Sequence, residues 1–245
     1  MKKSKSKSQF LILTGLRASL LTKAKRPQSI SALYYSDQAK NGVKDLLEKK
    51  PGFNPKIIKK VPEMELKKIS GGISHEGVAM KITPPPFKNL KDFSPTQNLI
   101  LALDHVDNPH NYGTIFRIAS FFGIKNILQE NHPDQAKPSG SSMRVSQGGI
   151  ELLNIYQTNS LESTLLHLKK IGFSIVGTSL KDSSLDYHLV KPKKLVLVLG
   201  NEEEGIRPQI EKICDQLVII PREGEMESLN VAVATGILLE HFHKI

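Results

Sequence analysis

The stretch Ile219-Ile220-Pro221-Arg222-Glu223-Gly224-Glu225-Met226-Glu227-Ser228-Leu229-Asn230-Val231-Ala232-Val233-Ala234 decides how this chain is read. Apolar residues up to Ile220 suit a buried strand, Pro221 ends it, and Ser228-Leu229-Asn230 opens a helix. The apolar stripe of that helix is Val231, Ala234, Leu238 and Phe242. A strand passing through a polar loop into a helix is an α/β unit. In such sheets ligands sit outside the carboxyl ends of the strands, where backbone groups unused by the ladder are free to bind them. Capping of the helix by Ser228 or Asn230 would by itself explain the end of the segment. Two segments of the same grammar raise the functional reading. Asn108-Pro109-His110-Asn111-Tyr112-Gly113-Thr114-Ile115-Phe116-Arg117 and Leu197-Val198-Leu199-Gly200-Asn201-Glu202-Glu203-Glu204-Gly205 each follow an apolar strand candidate and set polar groups beside glycine.

Outward from these segments the pattern alternates. Strands are expected at Leu99–Asp104, Asn126–Gln129, Ile150–Tyr156, Ser174–Thr178, Leu195–Gly200 and Gln216–Ile220, with helices near Gly113–Phe122, Leu161–Ile171, Pro208–Ile213 and Asn230–His243. This order predicts a mostly parallel sheet with helices on both faces. Upstream, Thr83-Pro84-Pro85-Pro86 and the residues to Pro95 stiffen the chain and forbid regular pairing, which marks a boundary. The expected organisation is a disordered basic tail at 1–8, a first domain at 9–82, a proline-rich linker at 83–97 and a second domain at 98–245. In the first domain a helix near Leu16 to Ala24, a strand near Ile30 to Tyr35, a helix near Gln38 to Lys49 and strands near Lys56 to Val61 and Val78 to Ile82 suggest a small α/β/α sandwich.

Charge separates the halves. Residues 1–92 hold 20 Lys and Arg against 7 Asp and Glu, whereas residues 93–245 hold 14 against 17, so that +13 and −3 make the net +10. A solvated lysine surface explains any one run, such as Lys49-Lys50, but the excess over the whole segment points to a polyanionic partner such as RNA. The single cysteine, Cys214, excludes an internal disulfide and fits a reducing, cytoplasmic setting. Its apolar neighbours Ile210, Ile213 and Leu217 suggest a buried, inert thiol. No apolar run reaches the roughly 20 residues of a membrane span. The acid-free start faintly resembles a targeting segment, but Arg17 interrupts its apolar stretch and no cleavage pattern follows.

Several chemistries are disfavoured. No Gly-x-Gly-x-x-Gly follows a strand, and Gly72…Gly77 lacks the Lys-Ser/Thr of a phosphate loop. His241 and His243 face different ways on a helix, and His105 and His110 have no third ligand at a recognised spacing, so no metal is expected. Arg117 lies off the apolar face of Ile115, Ile118, Ala119 and Phe122. It suits either an ordinary surface position or a fork aimed at a phosphate.

Together the three segments resemble the SpoU (TrmH-like) branch of the SPOUT RNA methyltransferases. The family's Asn-x-Gly-x-x-x-Arg is seen at Asn111 to Arg117, its Gly-x-Glu-x-x-Gly at Gly200 to Gly205, and its Ile-Pro…Ser-Leu-Asn-Val at Ile220-Pro221 and Ser228 to Val231. A less specific likeness covers Ser146-Gln147-Gly148-Gly149-Ile150-Glu151. Another, resting on Gly15 to Ala18 and His75 to Ala79, links the first domain to the L30e-like RNA-binding domains. The resemblance implies an α/β fold with a trefoil-knotted SPOUT domain, a homodimer, and S-adenosylmethionine bound by Thr178, Leu199, Gly200, Asn201, Gly205, Ile220 and Leu229. It implies methyl transfer to a ribose 2′-hydroxyl of structured RNA, with rRNA favoured over tRNA. Arg117 would meet the target phosphate, Asn111 fix Arg117 or the ribose, Glu202 order the loop, and Ser228 and Asn230 bond cofactor or nucleotide. A guanidinium is a poor base near neutrality, so phosphate anchoring and charge stabilisation are the roles that suit Arg117. Arg222, Gly149 and the glutamates 223, 225 and 227 depart from the family's usual residues. The alternative is a non-enzymatic RNA-binding or ribosome-assembly factor on the same fold, which would not need Arg117, Glu202, Ser228 and Asn230 together. A small-molecule α/β enzyme would leave the charge asymmetry unexplained.

Overall fold

The computed structural model describes residues 10–48, 53–93, 97–181 and 183–245, and the basic segment 1–8 lies outside them. The chain divides into two compact units, Met1–Pro85 with Pro138–Glu151, and Pro86–Lys137 with Leu152–Ile245.

The first unit holds β1 (Leu11–Thr14), α1 (Leu16–Lys25), β2 (Ile30–Tyr35), α2 (Lys40–Glu48), β3 (Ile58–Lys60), α3 (Glu63–Ile69) and β4 (Val78–Ile82). Its sheet runs β1-β4-β2-β3, antiparallel except for the parallel β2/β3 pair. Leu13, Leu33, Val78, Met80 and Ile82 are essentially fully buried in it. The strand β1 and the helix α3 were not anticipated from sequence. Both are short, and β1 finds its partner 71 positions away, at Leu11↔Ile82.

The second unit begins with β5 (Lys88–Asn89) and β6 (Leu99–Leu103), followed by α4 (Pro109–Phe121) and β7 (Asn126–Glu130). The chain then returns to the first unit for α5 (Gly140–Val145). An unbroken second domain over 98–245 has no such return, and side chains tie the returning segment to the first unit. Glu151, 1% exposed, takes both prongs of Arg26 (Nε–Oε2 2.5 Å, Nη2–Oε1 2.7 Å) and the Thr22 hydroxyl (3.0 Å). A carboxylate buried at that spot is held by its ion pair, and the pair ties the returning segment to α1. Back in the second unit come β8 (Asn154–Thr158), α6 (Leu161–Lys170), β9 (Ser174–Thr178), β10 (Leu185–Asp186), β11 (Leu195–Leu199), α7 (Pro208–Glu211), β12 (Gln216–Ile219) and α8 (Val231–Phe242). The expected strand at Ile150–Tyr156 thus starts later, because Gly149–Leu152 forms a 3₁₀ turn.

These strands form one eight-stranded sheet in the order β10-β12-β9-β11-β6-β7-β8-β5, with every pairing parallel. Successive residues of β6 and β11 point to opposite faces, yet both strands are buried throughout, as a parallel sheet covered on both sides requires. On one face Ile100, Ala102, Val196, Val198 and Ile175 pack with Leu161, Leu165 and Leu168 of α6 and with Ile210 and Ile213. Each such valine, leucine or isoleucine side chain contributes about 1.5–3 kcal/mol by leaving water. Helices α4 and α8 pack against each other. Both start on asparagine caps: Asn108 Oδ1 accepts from the backbone of His110 and Asn111, and Asn230 Oδ1 from Ala232 and Val233.

Candidate active site

The carboxyl ends of β9, β11 and β12 open into a cavity of about 530 Å³. Thr178 lines it from the end of β9, residues 200–206 from the loop after β11, residues 219–229 from the loop after β12, and Val231, Ala234 and Leu238 from α8. The volume and the apolar floor of Ile206, Leu217, Ile220 and Leu238 suit a nucleoside-sized ligand. The rim carries Glu202, Glu203, Glu204, Glu223, Glu225 and Glu227 beside Arg222 and Lys181.

The loop after β11 is closed on itself. Asn201 and Gly205 exchange backbone hydrogen bonds of 2.9 and 3.0 Å, and Gly205 has φ of 72°. A Cβ on Gly200 would lie 2.3 Å from the Gly205 carbonyl carbon and 2.5 Å from the Ile206 nitrogen, so only glycine permits this turn. The side chain of Asn201 is spent on the loop: its Oδ1 accepts from Glu203 N (2.8 Å) and Glu204 N (3.3 Å), and its Nδ2 donates to His105 O (3.0 Å).

Beside the cavity, three residues far apart in sequence join in one chain of hydrogen bonds. Asn230 Nδ2 donates to Asn111 Oδ1 (2.9 Å), and Asn111 Nδ2 donates to Glu202 Oε1. Asn230 therefore caps α8 with its oxygen and holds α4 with its nitrogen, so capping and site-building are one act. Of the residues expected to meet the cofactor, Thr178, Gly200, Asn201, Gly205, Ile220 and Leu229 line the cavity, as does Ser228. Leu199 does not. Its side chain is fully buried and its carbonyl accepts from Asp104 N (2.8 Å), because it is still part of the ladder. Arg117 also stands apart. Six residues beyond Asn111 on α4, it is rotated well around the helix and about 9 Å along it, exposed, and in no ion pair among the described residues.

Sequence reading missed the network beneath the loop. Arg207 donates from its backbone to Asp104 Oδ2 (2.8 Å), from Nε to Asp104 Oδ1 (2.6 Å) and from Nη2 to Glu130 Oε2 (2.7 Å), while the Asp104 side chain is wholly buried. Burial pushes the Glu130 carboxyl up, but the hydrogen bond and charge of Arg207 outweigh it and hold the carboxyl below its usual range. Burial likewise lowers the Arg207 guanidinium, and Asp104 and Glu130 more than reverse that. The only hint in the sequence is that polar residues follow apolar strand ends at Leu103-Asp104 and Gln129-Glu130. Cys214 is no nucleophile: burial, then the charges of Asp215 and Glu211, push its thiol up to about 12.

The SpoU rRNA methylase family model matches residues 98–240. The chain belongs to the SpoU rRNA methylase family. It is 34% identical over 189 residues to the 23S rRNA (guanosine-2′-O-)-methyltransferase RlmB of Acinetobacter baylyi, covering 74% of this chain and 76% of that one. The enzyme of the same name from Nitrosomonas europaea is 29% identical over 95% of this chain and 90% of its own. The AdoMet-bound rRNA methyltransferase of Sinorhizobium meliloti superposes with a TM-score of 0.75 at 26% identity, over 98% of this chain and 89% of that one. As a SpoU methylase the chain is an RNA methyltransferase that uses S-adenosylmethionine, and the cavity's volume, apolar floor and acidic rim suit that cationic nucleoside.

Proposed function

We propose that this protein methylates a ribose 2′-hydroxyl of ribosomal RNA, with the cofactor held in the cavity at the ends of β9, β11 and β12. The observation that carries this is the Glu202–Asn111–Asn230 chain, which joins all three motif segments beside that cavity, with Glu202 on its lining. A pure binding protein has no need to fix these groups to one another. Bound S-adenosylmethionine supplies an electrophilic methyl group. The chain's own residues supply position. Glu202 and Asn230 hold Asn111 in one rotamer, leaving the start of α4 rigid where the ribose would lie. Arg117 anchors a target phosphate through its planar fork, while solvent takes up the proton.

The relatives named for 23S rRNA guanosine favour rRNA over tRNA as the substrate here. The excess of Lys and Arg in residues 1–92 fits delivery of structured RNA by the first unit. We place the protein in the cytoplasm, where its substrate is made; among the described residues no helix is long and apolar enough to cross a membrane. We also propose that it works as a homodimer. Phe121, the last residue of α4, is 83% exposed, an apolar side chain that a second copy would cover.

The deciding experiment incubates the protein with tritiated-methyl S-adenosylmethionine and total RNA lacking its own 2′-O-methylation. Label in rRNA at one alkali-resistant position is the expected result. Label confined to tRNA would overturn the substrate, and neither label nor cofactor binding would leave the non-enzymatic RNA-binding reading.

A further inference from the structure

We propose that His105, His132 and Asp134 form a site for one divalent transition-metal ion, with zinc as the metal best matched to the donors. One donor atom from each of the three lies within 4.8 Å of the other two. Two imidazoles and a carboxylate make a donor set that zinc takes readily, with water completing a tetrahedron. Sequence spacing hides the site. His105 follows β6 and His132 follows β7, and only the parallel pairing of those strands, with Leu103 opposite Gln129, brings their ends together.

Two further observations bear on the site. The imidazoles of His105 and His132 are stacked, with centroids 4.2 Å apart and planes 15° from parallel, so one ring must turn out of the stack for both in-plane lone pairs to meet one ion. His105 Nε2 is enclosed and has no hydrogen-bond partner; its nearest acid, Glu130 Oε2 at 3.5 Å, is already engaged by Arg207. Leaving such a nitrogen unpaired costs about 1–3 kcal/mol. The backbone adds to this, since His105 has φ of 59°, a conformation that costs a residue other than glycine about 1–2 kcal/mol. Stacking of two neutral rings would explain the 4.2 Å contact but neither the unpaired nitrogen nor the strained backbone. A bound cation would supply the partner that the enclosed nitrogen lacks.

The ion would brace the active site without entering the chemistry. None of the three residues lines the cofactor cavity, whereas the His105 carbonyl receives Asn201 Nδ2 and so supports the loop that carries Glu202. The inference stands apart from the methyl-transfer reading and its test needs no RNA.

Full-length protein is stripped with a chelator and titrated with cobalt(II), followed by visible absorption, and with zinc, followed by calorimetry and by the melting temperature. One equivalent per chain is expected, with a thermal shift that grows with free metal. His105→Gly suits the left-handed backbone and keeps the fold, while His132→Ala and Asp134→Asn alter partly or largely exposed side chains. Each should weaken metal binding at least about tenfold, or about 1.4 kcal/mol, and His132→Ala and Asp134→Asn should leave S-adenosylmethionine affinity of the metal-free protein unchanged. Absence of stoichiometric binding at tens of micromolar metal would overturn the site. So would binding that survives both His105→Gly and His132→Ala, which would assign the metal to other histidines such as His188 and His241.

Discussion

Arg117 and Glu130 show how differently two charged residues can serve one site. Arg117 is exposed and unengaged among the described residues, as a group reserved for a phosphate should be. Arg117→Ala should lower kcat by about 10²–10³ while the cofactor dissociation constant moves less than about twofold. Single-turnover kinetics and calorimetry separate the two, and a large loss of cofactor affinity would contradict phosphate anchoring. Glu130 instead is tied to Arg207, which depresses its carboxyl below the ordinary range against the opposing effect of burial. A carboxyl whose folded pKa is depressed contributes stability that is present above its unfolded pKa of about 4.3 and is lost as pH falls through the folded value. Wild type should therefore exceed Glu130→Gln in stability by a constant margin near neutrality, and the margin should shrink on acidification below about pH 4. Urea unfolding across that range reads it directly. A margin that grew in acid would mean that the Arg207 contact does not dominate.

At the scale of elements, the loop between β11 and α7 is tightly held. It is closed by the paired backbones of Asn201 and Gly205, held at one end by the His105 carbonyl and at the other by the Asp104–Arg207 pair. Gly200→Ala places a methyl 2.3 Å from backbone atoms that have nowhere to go, an overpacking of about 1–3 kcal/mol. We expect its cofactor affinity to fall by about tenfold or more with the sheet intact, by calorimetry and far-UV circular dichroism. Unchanged affinity would place the cofactor away from this loop.

For the whole molecule, the charge asymmetry and the two-unit fold make a joint prediction. Lys59, Lys67 and Lys68 are exposed in the first unit. Replacing all three by alanine in the full chain should reduce the slope of log binding constant against log salt by about 2 for structured RNA, with cofactor binding untouched. An unchanged slope would assign RNA contact to other surfaces.

The chain by itself determined the parallel sheet of the second unit, because apolar runs such as Leu195–Leu199 and Leu99–Leu103 alternate with helices. It also determined the glycine, asparagine and serine positions that belong to the site, because caps and tight turns are local and leave a residue pattern. Tertiary structure alone decided the rest. The hydrogen bonds of Asn111 to Glu202 and Asn230 span 91 and 119 positions, and the Arg207 network spans 77 and 103. The return of Pro138–Glu151 to the first unit brings together Arg26 and Glu151, 125 positions apart. Leu199, expected beside the cofactor, sits inside the ladder, where its carbonyl accepts from Asp104 N. Such contacts have no period and no fixed spacing in the chain. Which polar groups meet at the end of a sheet is set by strand order and register, and those emerge only when long loops have closed and the buried charges have found partners.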